Sequence, residues 1–277
     1  MACAFSYFEL RQCRPKLGKL KRLLNELPYK GELQDRSEDK DGKTRYTYND
    51  LLDKVQASEE ELKAGLKQLQ ACLVDGYWRV FHLDYRDQVF QSILTLLEEE
   101  DWSWKSIPLQ ETCQKLEELE PPFVLEHVLD CYGVAFTGDE GEKRYGLEED
   151  KVCQFCAELF LRQSGKFNYE EFMESWPSSV PLGMTTSLDQ LKSLALTDLN
   201  SVPAVIWYFP ATDLPEDPAA RFSKLFSVKE KWAYDEMHPY ISDLESPGQS
   251  LNGLLLKYSR VSVSQGKKTY SAKLTAL

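Results

Sequence analysis

The stretch ASEEELKAGLKQLQACLVDGYWRVFHLD, residues Ala57–Asp84, decides the fold. Ser58 and Glu61 form the S-x-x-E pattern of a capping box, which predicts a helix start. Leu62, Leu66 and Leu69 then recur at helical spacing and make one apolar face. After Cys72 the residue types change: CLV and YWRVFH are rich in β-formers and flank Asp75-Gly76. Asp-Gly supplies the positive φ angles of a tight hairpin turn. The stretch therefore reads as a helix running into a β-hairpin.

Two helices are expected upstream. PKLGKLKRLLNEL opens on Pro15, a residue suited to a first turn. Leu17, Leu20, Leu24 and Leu27 form its inner face. TYNDLLDKVQ offers Leu51, Leu52 and Val55. Between them, KGELQDRSEDKDGKTR is polar and charged and reads as a mobile loop. Three helices followed by a hairpin is the order of a winged helix.

The order recurs at a period of roughly sixty-five to seventy-five residues. RDQVFQSILTLLEEE, LQETCQKLEEL and PPFVLEHVLDCYG precede a hairpin in VAFTGDEGEKRYGLE. EEDKVCQFCAELFLRQ, YEEFMESW and SLDQLKSLAL read as helices ahead of the strand AVIWYF. AARFSKLFSVKEKW, YDEMHPYISDL and SLNGLLLKYS precede a basic hairpin, RVSVSQGKKTYSA. The expected class is mainly α with short β-hairpins, in tandem winged-helix domains. The units are 8–83, 84–149, 150–213 and 214–274.

Charge is sorted along the chain. The 277 residues have a formal net charge of −12. Yet Leu10–Leu24 carries Arg11, Arg14, Lys16, Lys19, Lys21 and Arg22 with no acid, and no acidic residue follows Glu245. Sorted charge of this kind points to partners rather than to an evenly solvated surface. No apolar run approaches the length of a membrane span, and the N-terminus lacks a signal peptide's pattern. An intracellular protein without membrane contact is expected.

Catalytic signatures are missing. The chain has no phosphate-loop, dinucleotide-fingerprint, nucleophile-elbow or H-E-x-x-H motif. Seven cysteines include one C-x-x-C, Cys153 and Cys156, with no second pair to complete a zinc site. Their helical spacing places both on one apolar face. No metal, cofactor or enzymatic activity is expected.

The third helix of the first unit begins with Glu59, Glu60 and Glu61, which repel phosphates, so this helix is not expected to read DNA. Tyr77 and Trp78 on its wing are core residues or protein anchors. The N-terminal basic helix suits DNA, an acidic protein patch, or the chain's own acidic middle. The last unit differs. Lys257 and Arg260 end its third helix, and Lys267, Lys268 and Lys273 lie on or beyond its wing. Cations so placed neutralise backbone phosphates, and no side chains are arranged for base edges.

Six blocks together resemble the sister chromatid cohesion protein Dcc family: YFELRQCRPKLGKLKRLL, DLLDKVQASEEEL, GYWRV, KFNYEEFMESWPSSVPLGMTTSLDQLKSLAL, DLPEDPAARFSKLFSVKEKW and LLLKYS. That family supplies an accessory subunit of the alternative, cohesion-type replication factor C clamp loader. The resemblance implies tandem winged helices, a nuclear location, and a role in replication and cohesion. It implies that the first winged helix docks the catalytic subunit of DNA polymerase epsilon, with Arg14, Lys16, Lys19, Arg22, Tyr77 and Trp78 as candidate contacts. It also implies that the last unit binds single- and double-stranded DNA through Lys257, Arg260, Lys267, Lys268 and Lys273. The family's N-terminal domain, which joins the clamp loader's small and large subunits, is not matched, so this chain is expected to be a short form or fragment. The competing reading is a winged-helix interaction scaffold without DNA affinity.

Overall fold

The computed structural model describes residues 15–38, 44–246, 248–264 and 267–273. The first helices are α1 (Leu17–Asn25), α2 (Glu32–Glu38), α3 (Tyr48–Lys54) and α4 (Glu59–Gln68), followed by β1 (Cys72–Val74) and β2 (Tyr77–Arg79). The capping box at Ser58 is present: Glu61 N donates to Ser58 Oγ at 3.2 Å, and Ser58 N donates to Glu61 Oε2 at 2.8 Å. Thr47 and Asp50 build the same device for α3. The turn between β1 and β2 has φ of 50° at Asp75 and 84° at Gly76. Two successive positive values are the signature of a type I′ hairpin.

Three further repeats follow. The second comprises α5 (Leu83–Glu99), β3 (Ile107–Pro108), α6 (Leu109–Lys115), α7 (Pro122–Tyr132), β4 (Gly133–Thr137) and β5 (Lys143–Leu147). The third comprises α8 (Glu149–Ser164), β6 (Lys166–Asn168), α9 (Tyr169–Ser175), 3-10 turns at Trp176–Ser179 and Leu188–Leu191, β7 (Ala195–Asp198) and β8 (Val205–Tyr208). The fourth comprises α10 (Pro218–Val228), β9 (Lys231–Ala233), α11 (Tyr234–Met237), 3-10 turns at His238–Tyr240 and Ser242–Leu244, α12 (Leu251–Tyr258), β10 (Ser259–Ser264) and β11 (Lys267–Ala272). The described chain is thus mainly helical with short antiparallel hairpins.

A short strand ahead of the second helix pairs with the last strand of each hairpin, giving the orders β3–β5–β4, β6–β8–β7 and β9–β11–β10. In the first repeat its counterpart is a single bridge, where Trp78 N donates to Tyr46 O at 2.9 Å. The sequence reading missed these strands, because two or three residues are too few to show a period of two.

Two other expectations are corrected. SLDQLKSLAL is not a helix: it holds the Leu188–Leu191 turn and then β7. Ser193 at φ 69° reverses the chain between them, so Leu191 reaches the core from the turn and Leu196 from the strand, while Leu188 stays exposed. The charged loop contains α2. Its Asp35 accepts from Arg79 Nη2 at 2.6 Å and from Arg45 Nη2 at 2.8 Å. Arg45 lies at the far end of the same charged segment, whereas Arg79 is on the hairpin, distant in sequence and invisible to a local reading.

The described residues divide into two compact units, Lys16–Phe209 and one from Pro210 onward. The first unit holds a small core, built on Leu20, Leu24, Leu51, Leu62 and Leu66. Its larger core runs from Phe90 through Val128 and Tyr132 to Trp176 and Ile206. Phe90 stacks on Tyr132 at 3.8 Å between ring centroids. Segments 84–149 and 150–213 share this core. Each fully buried large side chain contributes about 1.5–3 kcal/mol.

Candidate nucleic-acid interface

The unit from Pro210 is built around Trp232, which is fully buried on β9. Its indole Nε1 donates to the carbonyls of Leu225 at 3.2 Å and Lys229 at 2.8 Å. Phe222, Leu225, Met237, Tyr240 and Leu254 complete the interior. Asp217 caps α10 by accepting from Ala220 N, and Ser250 caps α12 by accepting from Gly253 N. The buried Arg221 donates to the carbonyls of Pro215 and Tyr240 and pairs with Asp243, tying the loops to α10.

The sheet order β9–β11–β10 has two unlike faces. Tyr270 lies opposite Trp232 on one side and Val261 on the other, so this row belongs to the face that buries Trp232. Ser271 lies opposite Lys231 and Arg260, and Thr269 opposite Ala233 and Ser262. Directly opposed residues share a face, so the second face presents two cations and three hydroxyls. Ser262 Oγ and Thr269 Oγ1 are 3.3 Å apart on it. Hydroxyls and cations are phosphate ligands, and neither reads base identity from such a position.

Lys257, Arg260, Lys268 and Lys273 are all exposed. Three of them converge at the base of the hairpin. Lys257 sits in the last turn of α12, and Lys273 Nζ donates to Leu256 O at 3.2 Å. Arg260 is the second residue of β10 and not the end of the helix as expected, because α12 stops at Tyr258. The Lys273 contact places a cation on a free carbonyl at a helix C-terminus, where the dipole favours it. Lys268 lies apart, opposite Val263 and on the Tyr270 face. Strand alternation therefore separates it from Arg260. The side chain of Lys267 lies outside the described residues. Lys231 was missed by sequence reading, because the register that places it beside Ser271 and Arg260 is a tertiary fact. Its signal was a lysine on the first strand of a repeat.

Among the described residues, Lys231, Lys257, Arg260 and Lys268 have no carboxylate partner. Elsewhere the lysines are commonly paired, as in Lys115–Glu100 at 2.9 Å, Lys143–Glu126 at 2.6 Å and Lys151–Glu148 at 2.8 Å.

In the first repeat, Lys16, Lys19 and Arg22 are exposed on or beside α1, and Arg14 lies outside the described residues. Trp78 is half-buried against the Leu20–Leu66 core. Tyr77 is also half-buried, on the opposite face of β2. Glu59 and Glu60 are exposed at the start of α4. Arg79 is buried, and its Nε donates to Leu27 O at 3.0 Å.

Cys153 and Cys156 are buried in α8 and donate to the carbonyls of Thr185 at 3.8 Å and Ser179 at 3.3 Å. Burial pushes their thiols up to about 11 and about 12. No cluster of metal-ligating side chains occurs among the described residues. No described helix is long and apolar enough to cross a membrane.

A family model described as "Sister chromatid cohesion protein Dcc1" matches residues 1–241. The Homo sapiens sister chromatid cohesion protein DCC1 is 46% identical over 268 residues, spanning 97% of this chain and 68% of the human protein. The Mus musculus protein of that name is also 46% identical over 268 residues, spanning 97% and 67%. The Saccharomyces cerevisiae one is 25% identical over 279 residues, spanning 95% and 71%.

Proposed function

Because this chain belongs to the Dcc1 family of sister chromatid cohesion proteins, we propose that it serves cohesion as a non-enzymatic subunit of an alternative replication factor C clamp loader. In this reading each of the four repeats, helices followed by a hairpin, is a winged helix. The first unit docks the catalytic subunit of DNA polymerase epsilon through the face bearing Lys16, Lys19 and Arg22. The last unit contacts the phosphates of single- and double-stranded DNA. The protein works at replication forks in the nucleus.

The observation that carries the DNA assignment is the group of cations on the last unit that no carboxylate neutralises. In a chain of net charge −12, such cations keep their full attraction for phosphate. Lys231 and Arg260 flank Ser271 on one sheet face, and Lys273 bonds the Leu256 carbonyl in the last turn of α12, which also carries Lys257. Contacts of this kind bind without sequence preference and weaken steeply as salt rises.

The test is fluorescence anisotropy of a labelled primer–template with this chain at low and moderate salt. A variant with Lys257, Arg260, Lys267, Lys268 and Lys273 changed to Glu is measured beside it. Salt-sensitive binding by the parent and loss in the variant supports the assignment. Equal binding by both moves the contact elsewhere, and no binding by the parent removes DNA from the proposal.

A further inference from the structure

The second repeat has a sheet edge that no other described segment covers. In the order β3–β5–β4, β4 is an outer strand. Glu148 N donates to Tyr132 O and Gly138 N to Glu142 O, both at 2.8 Å. Antiparallel ladders alternate bonded and non-bonded pairs. The phase set by these two bonds turns Val134 and Phe136 inward to β5, and turns the N–H and C=O of Ala135 and Thr137 outward. Neither Ala135 nor Thr137 has a partner for these groups among the described residues.

The side chains leave the edge open as well. Val134, Ala135, Phe136 and Thr137 are all exposed, with Val134 at 61% and Phe136 at 42%. Val134 lies opposite Gly146 and Phe136 opposite Arg144, which pairs with Glu142 at 3.4 Å, so two apolar side chains adjoin the free edge beside a glycine and a neutralised arginine. Natural edge strands are blunted by charge, proline or a covering loop. β10 carries Arg260 and β7 carries Asp198, whereas GVAFT has neither charge nor proline.

We propose that β4 receives an extended segment of a partner protein, which adds antiparallel as a fourth strand. Backbone hydrogen bonds to Ala135 and Thr137 supply the affinity, and alternate side chains beside Val134 and Phe136 supply the selectivity. Charge selects the rest of the partner. At the Thr137 end, Asp139 and Glu140 are exposed and have no ion-pair partner among the described residues. An antiparallel strand sets its amino-terminal end there. The segment therefore opens with Lys or Arg and continues as an uncharged run with β-branched or aromatic residues at alternate positions.

The probe is a short fluorescein-labelled peptide with paired lysines followed by alternating valine and threonine, titrated with the full chain. Its binding should protect the Ala135 and Thr137 amides from hydrogen exchange. Ala135→Pro removes an outward N–H without touching the ladder, and should weaken binding about tenfold. Asp139→Lys with Glu140→Lys should weaken the lysine peptide and leave a peptide without lysines unchanged. Circular dichroism and the β5 amides report whether each variant is folded. No binding by the parent overturns the proposal. So does unchanged affinity in folded Ala135→Pro, or stronger binding of a peptide with its lysines at the carboxy-terminal end.

Discussion

Arg79 and Asp35 form a buried ion pair across the first repeat, with Arg79 Nη2 and Asp35 Oδ1 2.6 Å apart. The side chains are 3% and 10% exposed. Arg79 comes from the hairpin and Asp35 from a segment whose composition resembles a loop. Removing one partner leaves the other buried and unpaired, which costs about 3–5 kcal/mol. Asp35→Ala should therefore lose about that much in urea unfolding. The double change Asp35→Leu with Arg79→Met should lose far less. Equal losses would contradict the role given to the pair.

The Asp75-Gly76 turn offers a test of backbone conformation alone. Gly76 has φ 84°, and a side chain there would meet nothing within 4 Å. Gly76→Val therefore costs only the left-handed backbone, about 1–2 kcal/mol. Asp75→Asn should change stability little, because Asn also tolerates this region. Thermal unfolding of both variants checks the contrast, and a neutral Gly76→Val would refute the turn assignment.

Stability should fall in alkali because of buried thiols. Burial pushes Cys131 and Cys153 up to about 11 and Cys156 up to about 12, above a thiol's ordinary value. The folded chain holds protons that the unfolded chain releases. This contribution is full below pH about 9 and declines as pH rises toward the folded values, by up to about 1.4 kcal/mol per pH unit per thiol. Urea unfolding at pH 8 and pH 10 should show a smaller alkaline loss when all three are alanine than in the parent. An identical loss in both would sink this account.

Lys231 should count as a phosphate contact. Lys231→Ala ought to weaken binding to duplex DNA at low salt. It should also reduce the slope of log affinity against log salt by about one. Lys192→Ala, which breaks a surface pair with Asp189 at 2.9 Å in the other unit, should leave the slope unchanged. If the two variants behave alike, the sheet face is not where DNA sits.

Local patterns in the sequence determined the helices with caps and apolar stripes, and the hairpins with explicit turn residues. Ser58, Glu61, Leu62, Leu66, Asp75 and Gly76 act through neighbours within a few positions, so their reading needs no fold. The basic carboxy-terminal run was equally legible, because charge sorting is a property of the chain. Tertiary structure alone decided what long-range pairing creates. It made Ala195–Asp198 a strand, since Ser193 reverses the chain and β8 supplies the ladder. It ordered Asp35 against Arg45 and Arg79. It also joined Lys231 to Arg260 across Ser271 while turning Lys268 to the other face. Strand register carries no trace in composition, because moving a strand by one residue reverses every side chain without changing a letter.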